Sequence, residues 1–150
     1  MAVIDGSTNQ VTTFVPLPCC LQQGTAVAVS PITGNVYVGG PVDQLTSDIF
    51  EINGQTNQVI KTISVSGTTS GIAVNPVTAG IYVVNFSIFG GTGSVLVINS
   101  QTNQVTGSIC VGLSPGPVAI NPHTGIVYVG NHGGNPPPGT VSVISPSPPS

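Results

Sequence analysis

One block of sequence occurs three times, and that repetition constrains the fold more than any other feature. Thr8-Asn9-Gln10-Val11 returns as Thr56 to Val59 and as Thr102 to Val105. Val27-Ala28-Val29-Ser30-Pro31 returns as Ile72 to Pro76 and Val118 to Pro122, and Val36-Tyr37-Val38 as Ile81 to Val83 and Val127 to Val129. The copies are offset by 45 to 48 residues. No segment keeps a 3.6-residue apolar period, so the unit is a set of short strands rather than a helical solenoid.

Each copy reads as four strands, a to d. In the middle copy these are Ser70 to Asn75, Ile81 to Asn85, Ser94 to Asn99 and Gln104 to Val111. The a–b link is a tight turn, Pro31-Ile32-Thr33-Gly34, echoed at Pro76 to Gly80 and Pro122 to Gly125. Proline presets φ and glycine admits positive φ, which is what a tight turn requires. The c–d link opens on Asp5, Asn53 or Asn99, side chains that bond their own backbone two residues on. Strand a is apolar at successive positions, as in Val27-Ala28-Val29 and Ile72-Ala73-Val74. A sheet with one wet face would alternate, so these sheets are expected to be covered on both faces. The small alanine lets strand a crowd a central axis. Radially stacked four-stranded blades meet both conditions, and the expected fold is an all-β propeller of about three blades.

The pattern P-x-G-V-A-V-N-P-x-T-G-x-V-Y-V-x-N followed by V-x-V-I-D-x-x-T-N-x-V resembles the YVTN family of β-propeller repeats. It stands here as Pro115 to Asn131 followed by Thr140 to Ser145, and in both earlier copies. The resemblance covers about nine tenths of the chain. It departs at Gly40, where the final Asn of the pattern would stand, and at Ser145-Pro146, where a turn would begin. It implies a propeller, often extracellular or on a cell surface, and no single activity. Residues 1–145 form the propeller segment and 146–150 a Pro/Ser tail.

The strands run c–d (Ala2 to Asp5, Gln10 to Val15), then two full copies, then a–b–c ending at Thr140 to Ser145. Propellers close with about four to eight blades, and three do not close. The expected partner is a second copy, whose N-terminal d strand completes the C-terminal blade to give a ring or a filament. The alternative is a piece cut from a larger propeller.

The charged residues are Lys61, Asp5, Asp43, Asp48 and Glu51. A single cation excludes a nucleic-acid or anionic-lipid footprint. No stretch approaches the roughly 18 apolar residues of a membrane span, and no basic leader or apolar h-region opens the sequence. Scarce lysine and abundant Ser, Thr and Asn fit an exported protein. Of three cysteines, Cys110 pairs with Cys19 or Cys20, or all remain inert thiols. Neither a zinc ligand set nor any other cofactor motif is present.

Strand direction puts the long, variable d–a and b–c links on one face: Pro16 to Gly24, Gly39 to Ser47, Phe86 to Gly93 and Gly130 to Gly139. Binding concentrates on such loops. The candidates there are His132, Asn135, Asp43, Gln44, Phe86 and Phe89, with a glycan or protein as ligand. Asp43 and Asp48 share a loop but lack the spacing of a calcium site. His132 lacks an acid to orient it, and His123 reads as a surface turn residue. Glu51 is expected to point outward or pair with Lys61. Asn85-Phe86-Ser87 matches an N-glycan acceptor. No catalytic residues are assigned. An enzyme of the lyase or lactonase kind, which some propellers of this type resemble, is the rival reading.

Overall fold

In the computed structural model, residues 1–18, 21, 26–86, 91–133 and 138–145 are described. The expected tail at 146–150 lies outside them. Thirteen strands follow the repeat. An N-terminal hairpin pairs β1 (Ala2–Asp5) with β2 (Gln10–Phe14). Blade I is β3 (Ala26–Val29), β4 (Val36–Pro41), β5 (Thr46–Ile52) and β6 (Val59–Ser66). Blade II is β7 (Thr68–Val74), β8 (Ile81–Phe86), β9 (Thr92–Asn99) and β10 (Gln104–Leu113). Blade III is β11 (Pro115–Ile120), β12 (Val127–Asn131) and β13 (Thr140–Ile144). Every sheet is antiparallel in simple up-and-down order. The strands are those read from the repeat, within two residues at each end.

The turns recur because their chemistry recurs. Asp5, Asn53 and Asn99 each accept the N–H groups two and three residues on, at 2.7 to 3.2 Å. Asn9, Asn57 and Asn103 close these turns with φ of 56 to 57°, a left-handed slot that asparagine tolerates. In the a–b turns the equivalent slot holds Gly34, Ala79 and Gly125, at φ of 73, 59 and 72°.

Blades pack face to face, and the core lies between them. The front of blade I (Ala28, Tyr37, Ile49, Ile63, Val65) meets the back of blade II (Ile72, Val74, Val83, Ile98). The front of blade II (Tyr82, Val84, Val95) meets the back of blade III (Val118, Ile120, Val129, Ile144). Met1, Val3 and Val15 from the N-terminal segment cover Val38 and Ile52 on the back of blade I. The innermost strands β3, β7 and β11 touch in series. Such a radial stack, with the central blade II covered on both faces, is an incomplete β-propeller.

Two expectations are corrected. The stretch Gly39 to Ser47 is not a long loop: β4 runs to Pro41 and β5 begins at Thr46, leaving a four-residue hairpin link at 42–45. Glycine and proline read as turn residues there, yet Gly39 lies in strand, where Ile72 and Ile49 occupy the space a side chain would fill. Glu51 is not outward-facing. It is buried on the front of blade I, while Lys61, opposite it in the β5–β6 ladder, is exposed.

Candidate functional site

The β4–β5 hairpin tip is closed by hydrogen bonds. One Asp43 carboxylate oxygen accepts the N–H groups of Leu45 and Thr46, both at 2.7 Å. The Leu45 carbonyl accepts the N–H of Gly67 at 2.7 Å, tying the tip to the crossover between blades I and II. The bonds from Leu45 and Thr46 hold the Asp43 carboxyl below the usual carboxylate range. That oxygen caps the turn.

Beside this tip lies a cleft of about 540 Å³ between blades I and II. Leu45 and Phe86 supply apolar wall, and Gln44, Ser66, Thr92 and Ser94 supply neutral polar groups. Among the described residues no charged side chain lines it, which suits an uncharged ligand with both apolar and hydroxyl surface. The structure thus brings Gln44 and Phe86 together and leaves Asp43 on the adjacent hairpin tip, outside the described lining.

His132 sits at the next junction, between blades II and III. Its Nδ1 lies 3.1 Å from the Ser114 carbonyl. A carbonyl only accepts, so Nδ1 is the donor in this contact. Asn85 is paired with Thr69 and Asn131 with Pro115 in their ladders. Phe86 and His132, the next residues, are therefore one position of the repeat in two copies. Asn135, Phe89, Cys19 and Cys20 lie outside the described residues, and the disulfide expectation with them. Cys110 is a free, exposed thiol on β10.

Asn85 is not a glycan acceptor in this fold. It is buried, its Nδ2 donates to the Ser66 carbonyl, and its Oδ1 accepts from Thr69 Oγ1. An amide nitrogen so engaged is closed to a transferase. Asn131 holds the same place but faces Pro115 instead of Thr69. Its Nδ2 reaches Thr140 and Ser142, and its Oδ1, with no hydroxyl opposite, is buried with no partner among the described residues.

Asp43 and Asp48 do not form a chelate. Asp48 accepts from Ser64 Oγ at 2.6 Å across the β5–β6 ladder, and no cluster of three metal-ligating side chains occurs among the described residues. His123 caps nothing chemical: its N–H is bonded to Asn121 in the a–b turn.

Sequence reasoning missed a polar cluster between blades I and II. Glu51 Oε1 accepts from Asn35 Nδ2 at 2.8 Å and the Tyr37 hydroxyl at 3.0 Å, and Oε2 accepts from Asn103 at 3.3 Å. Its signal was in the register: Glu51 faces Tyr37 where Val97 faces Tyr82 and Val143 faces Tyr128.

No family model matches the chain, and no curated protein sequence does. Among solved structures it is similar to a luciferin-regenerating enzyme at 15% identity and a TM-score of 0.57, over 84% of this chain and 42% of that one. It also aligns with a hydrazine synthase of Kuenenia stuttgartiensis at 16% identity and a TM-score of 0.47, over 86% of this chain and 48% of that one. The chain spans less than half the length of each. At this identity the first likeness establishes architecture alone, that of a β-propeller.

Proposed function

We propose that the chain is a non-enzymatic propeller module of YVTN-type repeats, a scaffold or binding element that assembles with copies of itself through its two open flanks. The supporting observation is a comparison of the repeat with itself. On the front, Tyr128 and Val141 are 39% and 62% exposed, while the equivalent Tyr37, Ile49 and Val95 are 0% exposed. On the back, Val27 and Val29 are 54% and 57% exposed, against 6% and 8% for Ile72 and Val74. The same side chains are buried or half-buried wherever a neighbouring blade exists. Contiguous apolar surface of this kind marks an interface, and the blade-to-blade contact inside the chain is the template for its cover.

The carboxylates support a structural reading. Asp5 and Asp43 cap turns, Asp48 holds Ser64, and Glu51 is enclosed by Asn35, Tyr37 and Asn103. The neutral cleft beside Gln44 and Phe86 offers the same module a place for a glycan. An extracellular or cell-surface setting fits its low content of charge.

Sedimentation velocity at micromolar concentration tests the proposal. The expected result is a dimer or larger assembly that reverts to monomer in Tyr128→Lys, a substitution at a position open enough to leave the blade folded. A wild-type chain that sediments as a monomer would overturn it.

A further inference from the structure

The repeat assigns the same slot to two different strands. In the β12–β13 ladder, Ser142, Val143 and Ile144 stand opposite Val129, Tyr128 and Val127. In the full blades this c-strand place is held by Leu96-Val97-Ile98-Asn99 and Phe50-Glu51-Ile52-Asn53, and at the N-terminus by Ala2-Val3-Ile4-Asp5. The isoleucine of this motif points to the preceding blade, where Ile98 and Ile52 are fully buried. Ile4 packs against no blade among the described residues and is 61% exposed.

From this we infer that the N-terminal hairpin of a second copy replaces β13, so that β11 and β12 of one copy and β1 and β2 of the other form one four-stranded blade. The inference rests on the self-assembly proposed above and names its mode. Three features of the molecule favour it.

First, the hairpin is the better c–d unit. Its turn is already built, with Asp5 accepting from Ser7 and Thr8 and Asn9 in the left-handed slot shared with Asn57 and Asn103. The sequence after β13 is Ser145-Pro146 and has no such turn.

Second, the exchange covers what is bare. The hairpin keeps Val3 packed on the back of its own blade I, and β11 and β12 then arrive beside it. In blade I the a and b strands lay Ala28 and Tyr37 over Ile72, Val74 and Val83 of blade II. By the same geometry Ala119 and Tyr128 come over Val27, Val29 and Val38 of the second copy. Ile4 enters the place of Ile144 against blade II.

Third, there is a gap where the turn would go. Between blades I and II, Asn103 of the c–d turn reaches the front of blade I. Across the next junction the matching ground is a cleft of about 450 Å³ lined by Tyr82, Val97, Thr106 and Ile144. The Asp5–Asn9 turn of the second copy fits that ground. Twelve of the thirteen described strands of each copy then stand in three four-stranded blades, with β13 released.

A disulfide trap tests the register. Ala2→Cys is combined with Val129→Cys in a background where Cys19, Cys20 and Cys110 are serine. Exchange sets residue 2 of one copy opposite residue 129 of the other, so oxidation is expected to give a covalent dimer. Hydrogen exchange on the unsubstituted chain gives a second readout: the amides of Val141 and Val143 should lose protection as concentration rises. Assembly without the covalent dimer and with β13 still protected would overturn the exchange and leave flank docking intact. A chain that stays monomeric would overturn both.

Discussion

Glu51 shows what a single side chain can do inside a repeat. Its copies are valines, and a buried carboxylate would be costly without partners. Here the Asn35 and Asn103 amides and the Tyr37 hydroxyl donate to it. Burial, then the charge of Glu51, then their hydrogen bond push the Tyr37 phenol well above its usual value of 10.0. The sign follows from which state binds the proton more tightly. The unfolded phenol ionises near 10.0, and the folded one holds its proton beyond that. The contribution to stability is therefore complete below pH 10.0 and is lost as pH rises toward the folded value. Alkaline titration followed in the ultraviolet should show Tyr37 phenolate only together with loss of strand circular dichroism. Glu51→Gln, which keeps an acceptor and removes the charge, should lower the pH at which Tyr37 phenolate first appears and reduce the loss of strand signal that accompanies it. A Tyr37 that ionises freely in the folded chain would contradict the packing described.

At the scale of strands and turns, the repeat supplies its own controls. Ala79 occupies a left-handed slot that the other copies fill with Gly34 and Gly125. An L-residue with a Cβ is strained there by about 1 kcal/mol, while glycine gives back part of that in unfolded-state entropy. Ala79→Gly should raise stability by roughly 0.5 kcal/mol, and Gly125→Ala should lower it by about 1 kcal/mol. Urea denaturation reads both, and opposite signs at these equivalent positions are the diagnostic result. The same in-register comparison made the strands legible from sequence, because Tyr37, Tyr82 and Tyr128 fix the phase of each blade. It did not reveal which face a polar residue takes. In strands apolar on both sides, no alternation tells the eye that Glu51 points inward, so the side chain had to be seen. The glycan motif at Asn85 failed for a related reason: a short pattern carries no information about burial, and this amide is a latch between β8 and the blade I–blade II crossover. The cleft was half legible, since Gln44 and Phe86 lie on links that strand direction sends to one face, whereas Ser66 and Ser94 reach it only through the packing of two blades.

The whole molecule is a stack of apolar plates with almost no charge, and this sets how its assembly should respond to conditions. The chain has one Lys and four acidic residues, and the exposed flank positions are Ile4, Phe14, Val27 and Val29 on one side and Tyr128, Val141 and Val143 on the other. Contacts between ions are weakened by salt over a Debye length of about 10 Å at 0.1 M. Burial of apolar surface near room temperature is driven by solvent entropy and fades on cooling. An assembly held by these flanks should therefore keep its affinity within about twofold as salt rises from 0.05 to 0.5 M, and should loosen in the cold with a negative heat-capacity change of association. Isothermal dilution calorimetry at several temperatures and two salt concentrations separates the alternatives. A dimer that dissolves in salt and tightens on cooling would place the contact elsewhere, on polar turns such as those of Asp5 and Asp43, and the bare blade faces would then need a different cover.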